Sequence, residues 1–99
     1  MEKVCVIEIE WNIKGDNGHE ILCVTDVECA QTYFKTFLKE EKLMSWLKDY
    51  FNKDGSFNEE YRKDVTEYID DDRYFEFSTN NYECYTIMSI NEFDVFSKL

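Results

Sequence analysis

Proline is absent from this 99-residue sequence, and glycine occurs only three times. With no segment rich in proline, glycine or serine and no internal repeat, the chain contains no candidate linker between domains. The length corresponds to one domain of ordinary size. We therefore expect residues 1–99 to form a single compact domain.

Basic residues are scarce: 11 Lys and Arg stand against 22 Asp and Glu, which gives a formal net charge of -11. Nucleic-acid binding depends on clustered Lys and Arg that neutralise phosphates, and anionic membrane surfaces attract the same residues. The composition therefore argues against a direct nucleic-acid partner and against membrane binding. Hydrophobic residues still make up 43% of the chain, which is enough for a folded core.

Long apolar runs are also missing, and none approaches the roughly 20 residues that a membrane-spanning helix needs. Glu8 and Glu10 interrupt the first apolar run, which argues against a secretory signal. The cysteines are scattered rather than closely spaced, at Cys5, Cys23, Cys29 and Cys84. We therefore expect four reduced, mostly buried thiols in a cytosolic protein.

Histidine occurs once, as His19, which leaves few routes to nucleophilic or metal chemistry. Its nearest cysteine in sequence, Cys23, lies roughly 13 Å away along an extended strand, too far for a Cys–His pair. CxxC, CxH and HxxxH spacings are absent, so no zinc-type ligand set is present. Adjacent acids such as Glu40-Glu41 are typical of a solvated face rather than of the shaped pocket that acid–base catalysis requires. We expect no enzymatic activity, no cofactor, and an exposed turn position for His19.

The segment from Tyr50 to Tyr61 partly resembles an EF-hand calcium loop. With Gly55 at the invariant turn position, the oxygen-ligand positions are occupied by Asn52, Asp54, Ser56 and Asn58. Tyr50 and Tyr61 replace the first Asp and the last, bidentate Glu, so the strongest ligands are missing. The same residue types favour ordinary turns, which is the interpretation we adopt, with weak calcium binding left open.

Hydrophobic alternation predicts a β-hairpin near the start of the chain. Residues 4–13 and 20–25 both alternate with a period of two. A loop over residues 15–18 places Ile9 opposite Val24 and gives the hairpin one apolar face.

The same alternation returns in the last third of the chain. Residues 73–78 and 83–90 predict a second hairpin that turns at Asn80-Asn81. This register places Phe77 opposite Cys84.

Helical spacing predicts the segments between and after the hairpins. One helical region spans residues 27–51, with a capping box at residues 25–28. The polar residues 39–42 are either a bend, which we favour, or a solvated turn within one long helix. A second helix begins at Ser56 or Asn58, and its apolar face consists of Tyr61, Val65, Tyr68 and Ile69. A short terminal helix over residues 91–99 would bury Phe93 and Phe96.

Together these elements predict an α+β fold. Two β-hairpins form a four-stranded antiparallel sheet, and two or three helices inserted between them pack on one face.

Acidic residues are concentrated in one region. Residues 54–76 contain nine acids and three bases, whereas residues 27–53 contain four acids and five bases. A concentrated charge of one sign steers an oppositely charged partner, and tyrosines beside carboxylates are typical of protein interfaces. The predicted partner-binding residues are Glu8, Glu10, Asp64, Glu67, Asp70, Asp71, Asp72, Tyr74, Glu76 and Tyr85.

In size, acidity and aromatic content the chain resembles small phage-encoded anti-defence proteins, such as anti-CRISPR and anti-restriction inhibitors. The resemblance implies a non-enzymatic inhibitor that binds a basic nucleic-acid-binding protein or nuclease, with carboxylates in place of backbone phosphates. A toxin-immunity protein is a close variant of this hypothesis. The alternative is a protein–protein adaptor or a homodimeric structural subunit, whose acidity only provides solubility.

Overall fold

A computed structural model describes residues 3–44, 46–81 and 83–94. The elements in these residues are β1 (Lys3–Ile13), β2 (Asp16–Val24), α1 (Val27–Met44), β3 (Val65–Asp70), β4 (Tyr74–Thr79) and β5 (Cys84–Asp94). Single 3₁₀ turns lie at Lys48–Tyr50 and Glu59–Tyr61. The strands form one antiparallel sheet in the order β2-β1-β5-β4-β3.

The α+β class and the antiparallel sheet are confirmed, but the predicted element count is wrong. Within the described residues there are five strands and one α-helix, instead of four strands and two or three helices. The difference arises mainly at residues 65–70, predicted as helix and observed as β3. This segment is rich in β-branched and aromatic residues, and its Val65 is fully buried opposite Thr79 of β4.

The end of the described chain also differs from the prediction. Residues 91–94 extend β5 and pair with β1 instead of starting a helix. Phe93 is consequently exposed rather than buried. Phe96 lies outside the described residues.

The N-cap of helix α1 lies one residue later in the sequence than predicted. The Asp26 carboxylate, rather than the Thr25 hydroxyl, accepts a hydrogen bond from the Glu28 amide at 2.9 Å. The helix continues through residues 39–42 and ends at Met44, well short of residue 51.

The first hairpin forms with a tighter turn than predicted. Lys14 and Gly15 both have positive φ, at 53° and 93°, as a two-residue type I′ turn requires. Ile9 therefore faces Glu20 instead of Val24. Because the register error is four residues, an even number, every side chain remains on the predicted face.

The second hairpin also forms, with a register that differs from the predicted one. Phe77 pairs with Thr86 rather than with Cys84, a shift of two residues that again preserves the faces. The Thr79 hydroxyl accepts a hydrogen bond from the Cys84 amide at 3.1 Å and closes a longer loop than the predicted tight turn.

The core lies between α1 and one sheet face. It combines Cys5, Ile7, Ile9, Ala30, Phe34, Leu47, Phe75, Phe77, Met88 and Ile90, all nearly inaccessible to solvent. Phe75 lies at its centre, where its ring contacts those of Phe34, Phe37 and Phe77 at centroid distances of 5.2–6.1 Å. Consequently the sheet has one face covered by α1, and the opposite face is defined below.

The cysteines are less buried than expected. Cys5 and Cys84 are buried, but Cys23 and Cys29 are exposed, and all four are free thiols. Burial raises the pKa of the Cys5 thiol above its usual value, which keeps that thiol protonated. Among the described residues, none of the helical segments has the length and apolar character required to cross a bilayer.

Gly18 is a strand residue with a packing role rather than a loop residue. It lies opposite Trp11, and a Cβ at Gly18 would overlap the Trp11 indole. We expect Gly18→Ala to lower the free energy of unfolding by about 1–3 kcal/mol, measured by urea denaturation, because the indole must move.

The same substitution in a Trp11→Val background is the matched control. Without the indole, alanine in a strand is expected to be neutral or stabilising. Equal losses in both backgrounds would contradict the proposed overlap.

Candidate functional site

The sheet face opposite α1 carries six of the ten predicted partner-binding residues, the sixth being Asp70, which ends β3 opposite Tyr74. We define the outer face by Glu8, Glu10, Asn12, His19, Ile21, Cys23, Tyr68, Tyr74, Glu76, Tyr85, Ile87 and Ser89. These residues alternate with the core residues along their strands, and so they share one face. No element within the described residues packs on this face.

Carboxylates on the outer face are interleaved with apolar and aromatic side chains. Ile87 of β5 lies directly between Glu10 of β1 and Glu76 of β4. Two inter-strand spacings separate these two acids, roughly 10 Å. The residues that define the outer face include three carboxylates and neither lysine nor arginine, and Asp70 adds a fourth carboxylate at the edge, opposite Tyr74. The face therefore presents a field of one sign over a partly apolar surface.

Tyr74 and Glu76 form a fixed pair on this face. The Tyr74 hydroxyl donates a hydrogen bond to the Glu76 carboxylate at 3.0 Å. Burial, followed by this hydrogen bond and the Glu76 charge, raises the pKa of Tyr74 to about 12. Tyr74 thus remains a neutral donor that orients the carboxylate.

Tyr68 extends the aromatic part of the outer face and was missed as a site residue. It lies opposite Glu76, packs edge-on against Tyr74 at 5.8 Å, and is 54% exposed. The sequence pattern predicts Tyr68 on the buried face of a second helix, which excludes it from the exposed site residues. The alternation of Thr66, Tyr68 and Asp70 with Val65 and Ile69 is the signal that would have revealed it.

A shallow depression of about 330 Å³ lies at the β1–β2 end of the outer face. The residues lining it are Glu10, Trp11, Asn12, Asn17, Gly18, His19 and Tyr85. It brings together two predicted site residues, Glu10 and Tyr85. His19 is exposed on β2, not in the turn as expected, and its Nε2 lies 3.7 Å from the Glu8 carboxylate.

The three consecutive aspartates form a separate feature, the β3–β4 tip. Asp71 and Asp72 have positive φ, at 44° and 55°, and Asp70 ends β3. Asp72 lies 3.5 Å from the ammonium group of Lys35 on α1. Asp70 lies opposite Tyr74 at the edge of the outer face, whereas Asp72 lies towards α1, where Lys35 partly neutralises its charge.

Asp64 and Glu67 do not join the other site residues. Because residues 65–70 form a strand, Glu67 faces the α1 side of the sheet. It accepts a hydrogen bond from Arg62 at 3.2 Å, and Arg62 also binds Glu59. Asp64 lies in the preceding turn, where its main chain binds Tyr61 and Asn80.

The segment that resembles an EF-hand uses its polar side chains for hydrogen bonds within the segment. The Asp54 carboxylate accepts hydrogen bonds from the Ser56 hydroxyl at 2.6 Å and the Ser56 amide at 2.9 Å, which lower the pKa of Asp54. Phe51 and Phe57 bridge its two sides. Short 3₁₀ turns stand in place of EF-hand helices, and the described residues contain no cluster of three or more potential metal ligands.

Basic residues collect on the other side of the molecule. A groove of about 420 Å³ beside α1 is lined by Lys35, Leu38, Lys39, Lys42, Lys53, Asp54 and Gly55. Three of its lysines lie at i, i+4 and i+7 on one flank of α1. The molecule is thus polarised, with an acidic sheet face and a basic helix flank.

No family model, no curated protein and no solved structure matches the chain.

Proposed function

We propose that this protein is a non-enzymatic inhibitor that binds a basic, nucleic-acid-binding protein through its outer face. One observation carries the proposal: three carboxylates and three tyrosines share an uncovered face that contains neither lysine nor arginine. Carboxylates attract the cationic surface of such a partner, and tyrosine rings provide contact area with little loss of side-chain freedom.

The acids would occupy the positions of backbone phosphates in the partner's nucleic-acid channel. The basic flank of α1 supports this orientation, because it repels a cationic partner and leaves the outer face as the favoured approach. Phage anti-defence proteins and toxin-immunity proteins are the functional classes to which such an inhibitor belongs. Free, exposed thiols at Cys23 and Cys29 favour action in a reducing compartment, the cytoplasm.

A specific observation favours the adaptor or homodimer as the second candidate. Ile21 and Phe93 are 59% and 54% exposed, more than a purely electrostatic surface requires. A homodimer through the outer face would oppose identical carboxylates, which disfavours it. Sedimentation equilibrium tests the homodimer, since the inhibitor is expected to be monomeric without its partner.

The proposal is tested by affinity capture followed by reconstitution. Immobilised protein is exposed at low salt to lysate of the source cell, alongside an E8Q/E10Q/E76Q bait of matched shape. We expect the wild-type bait to retain a basic protein that the variant loses. With that protein purified, short duplex DNA and added sodium chloride are each expected to release it.

Equal retention by both baits, or a purified complex indifferent to duplex DNA and to salt, would contradict the mimicry. A greater loss from Tyr85→Ala than from the three charge changes would favour the adaptor.

A further inference from the structure

Strand β2 forms one edge of the sheet, and its outer side pairs with no other strand among the described residues. The two-residue turn makes Ile13 and Asp16 a hydrogen-bonded pair, and in an antiparallel ladder such pairs recur at every second residue. The amides and carbonyls of the alternate residues therefore point away from β1. These outward residues are Asn17, His19, Ile21 and Cys23.

The outward main-chain groups of β2 are open to an additional strand. Within the part of the chain that the structure describes, they take no part in the main-chain hydrogen bonds of turns and loops. Edge strands are usually blunted by proline, by lysine, by a bulge or by shortness. β2 has nine residues in unbroken one-to-one register with β1, and its sequence contains neither proline nor lysine. Such an edge suits strand addition.

The opposite edge of the sheet, β3, is better protected. It has only six residues, and Val65 at its start is fully buried. Arg62, in the preceding turn, donates a hydrogen bond to the Glu67 side chain of this strand at 3.2 Å. A short strand flanked by charged side chains is a poor template for pairing. The two edges therefore differ, and β2 is the one open to pairing.

Side chains on the outer face determine which strand fits beside β2. One strand inside the edge, Glu10 lies opposite His19, and Glu8 lies opposite Ile21. Ile21 is 59% exposed, so the alkyl stem of an added lysine or arginine can lie across it and carry the charge to Glu8. A second basic side chain two residues away lies on the same face, beside the depression that Glu10 and His19 line.

A second copy of β2 fits this edge poorly. In the register that pairs all nine residues, Glu20 would lie opposite the same residue of the other copy, and like charges directly opposite destabilise a strand pair. Each copy also carries a formal net charge of -11, which opposes their approach. A basic strand meets neither obstacle.

We propose that β2 binds an extended, basic segment of another protein as an added antiparallel strand. Alternate lysine or arginine side chains lie on the outer face opposite His19 and Ile21, and their main-chain groups pair with the outward groups of these two residues. That the segment belongs to the basic partner rests on the proposed function, whereas the preference for a basic strand does not. Main-chain hydrogen bonds then fix the orientation of a partner that charge attracts.

A blocked heptapeptide that alternates lysine and valine, with lysine at both ends, is the probe. In the free protein, the amide protons of His19 and Ile21 are expected to exchange with solvent faster than those of the β2 residues bonded to β1. Saturating peptide is expected to slow exchange at these two amides, measured by NMR, and to leave the outward amides of β3 unchanged. Slow exchange at both amides before peptide is added, or no slowing afterwards, would overturn the proposal.

Two backbone-methylated peptides test the pairing itself. Methylation of two lysine amides removes donors that face β2 and is expected to weaken binding at least about tenfold, because two main-chain hydrogen bonds are lost. Methylation of two valine amides, which face away from β2, is the matched control and is expected to leave binding nearly unchanged. Equal weakening by the two peptides would contradict the predicted strand pairing.

Charge selectivity is measured separately. A peptide with glutamate in place of lysine is expected not to bind. The E8Q/E10Q variant is expected to bind the lysine peptide at least about fivefold more weakly. Glu76→Gln, on β4 and two strands further from this edge, is the control and is expected to change nothing. Equal binding of the two peptides, or equal effects of the two variants, would rule out a basic occupant.

The outcome is distinguishable from that of the proposed function. Failure of the peptide to bind a protein that still captures its basic partner would reject strand addition alone. Conversely, peptide binding at β2 in a protein that captures no basic partner would support strand addition and reject the proposed function.

Discussion

Phe75→Ala is expected to lower the free energy of unfolding by about 3–5 kcal/mol, the usual loss for a buried phenylalanine. Phe75 is fully buried in β4, and its ring contacts Phe34 and Phe37 of α1 as well as Phe77. Removing it separates the helix from the sheet at the centre of their contact. Since small domains are stable by only about 5–15 kcal/mol, a large fraction of the total stability would be lost.

Urea denaturation monitored by circular dichroism measures this loss. Phe93→Ala, on the same sheet at a 54% exposed position, is the control and is expected to change stability by less than about 0.5 kcal/mol. Phe75→Leu is expected to cost less than alanine, because it leaves a smaller cavity. Similar losses at Phe75 and Phe93 would show that the core is elsewhere.

The face assignment of the strands could be predicted from the sequence because it depends only on local alternation. Cys5, Ile7 and Ile9 alternate with Glu8 and Glu10, and the former are buried as expected. The pairing register of two strands depends on the geometry of the turn between them, and the alternation of side chains along each strand does not determine that geometry. The predicted loop began at Gly15 and included Gly18, whereas Gly18 is small because Trp11 packs across it.

Residues 65–70 show why the second helix was predicted. Val65 and Ile69 are four residues apart, a spacing that places two side chains on one face of either a helix or a strand. Only Tyr68 separates the two possibilities, since it joins Ile69 on a helix but faces the opposite side in a strand. The prediction placed Tyr68 with the core, and the observed strand places it on the outer face.

The same error explains which site residues were brought together. Glu8, Glu10, Tyr74, Glu76 and Tyr85 lie in strands whose alternation was correctly interpreted. Glu67 belongs to β3, and its parity places it on the α1 side beside Arg62.

Two triple variants of equal charge separate the outer face from the β3–β4 tip. E8Q/E10Q/E76Q and D70N/D71N/D72N each remove three carboxylates, which changes the formal net charge from -11 to -8 in both. Gln retains an oxygen that accepts the Tyr74 hydrogen bond. Asn tolerates the positive φ of Asp71 and Asp72, so both variants are expected to remain folded.

The outer-face variant is expected to weaken affinity for the purified basic partner by about 10- to 100-fold, mainly through faster dissociation. Its carboxylates lie among Tyr68, Tyr74 and Tyr85, whose rings exclude water from the contact and strengthen each charge interaction. The tip variant is expected to lose less than about tenfold, mainly through slower association. Asp70 lies only at the edge of the outer face, Asp71 and Asp72 lie in the turn beyond it, and Lys35 already offsets the charge of Asp72.

Surface plasmon resonance at several salt concentrations gives both rate constants. Equal losses in the two variants would mean that net charge alone governs binding and that the outer face is not a specific site. A greater loss at the tip would move the contact to Asp70–Asp72. Only faster dissociation confined to the outer-face variant agrees with a partner seated on the tyrosines, because long-range attraction acts on association whereas close contact acts on dissociation.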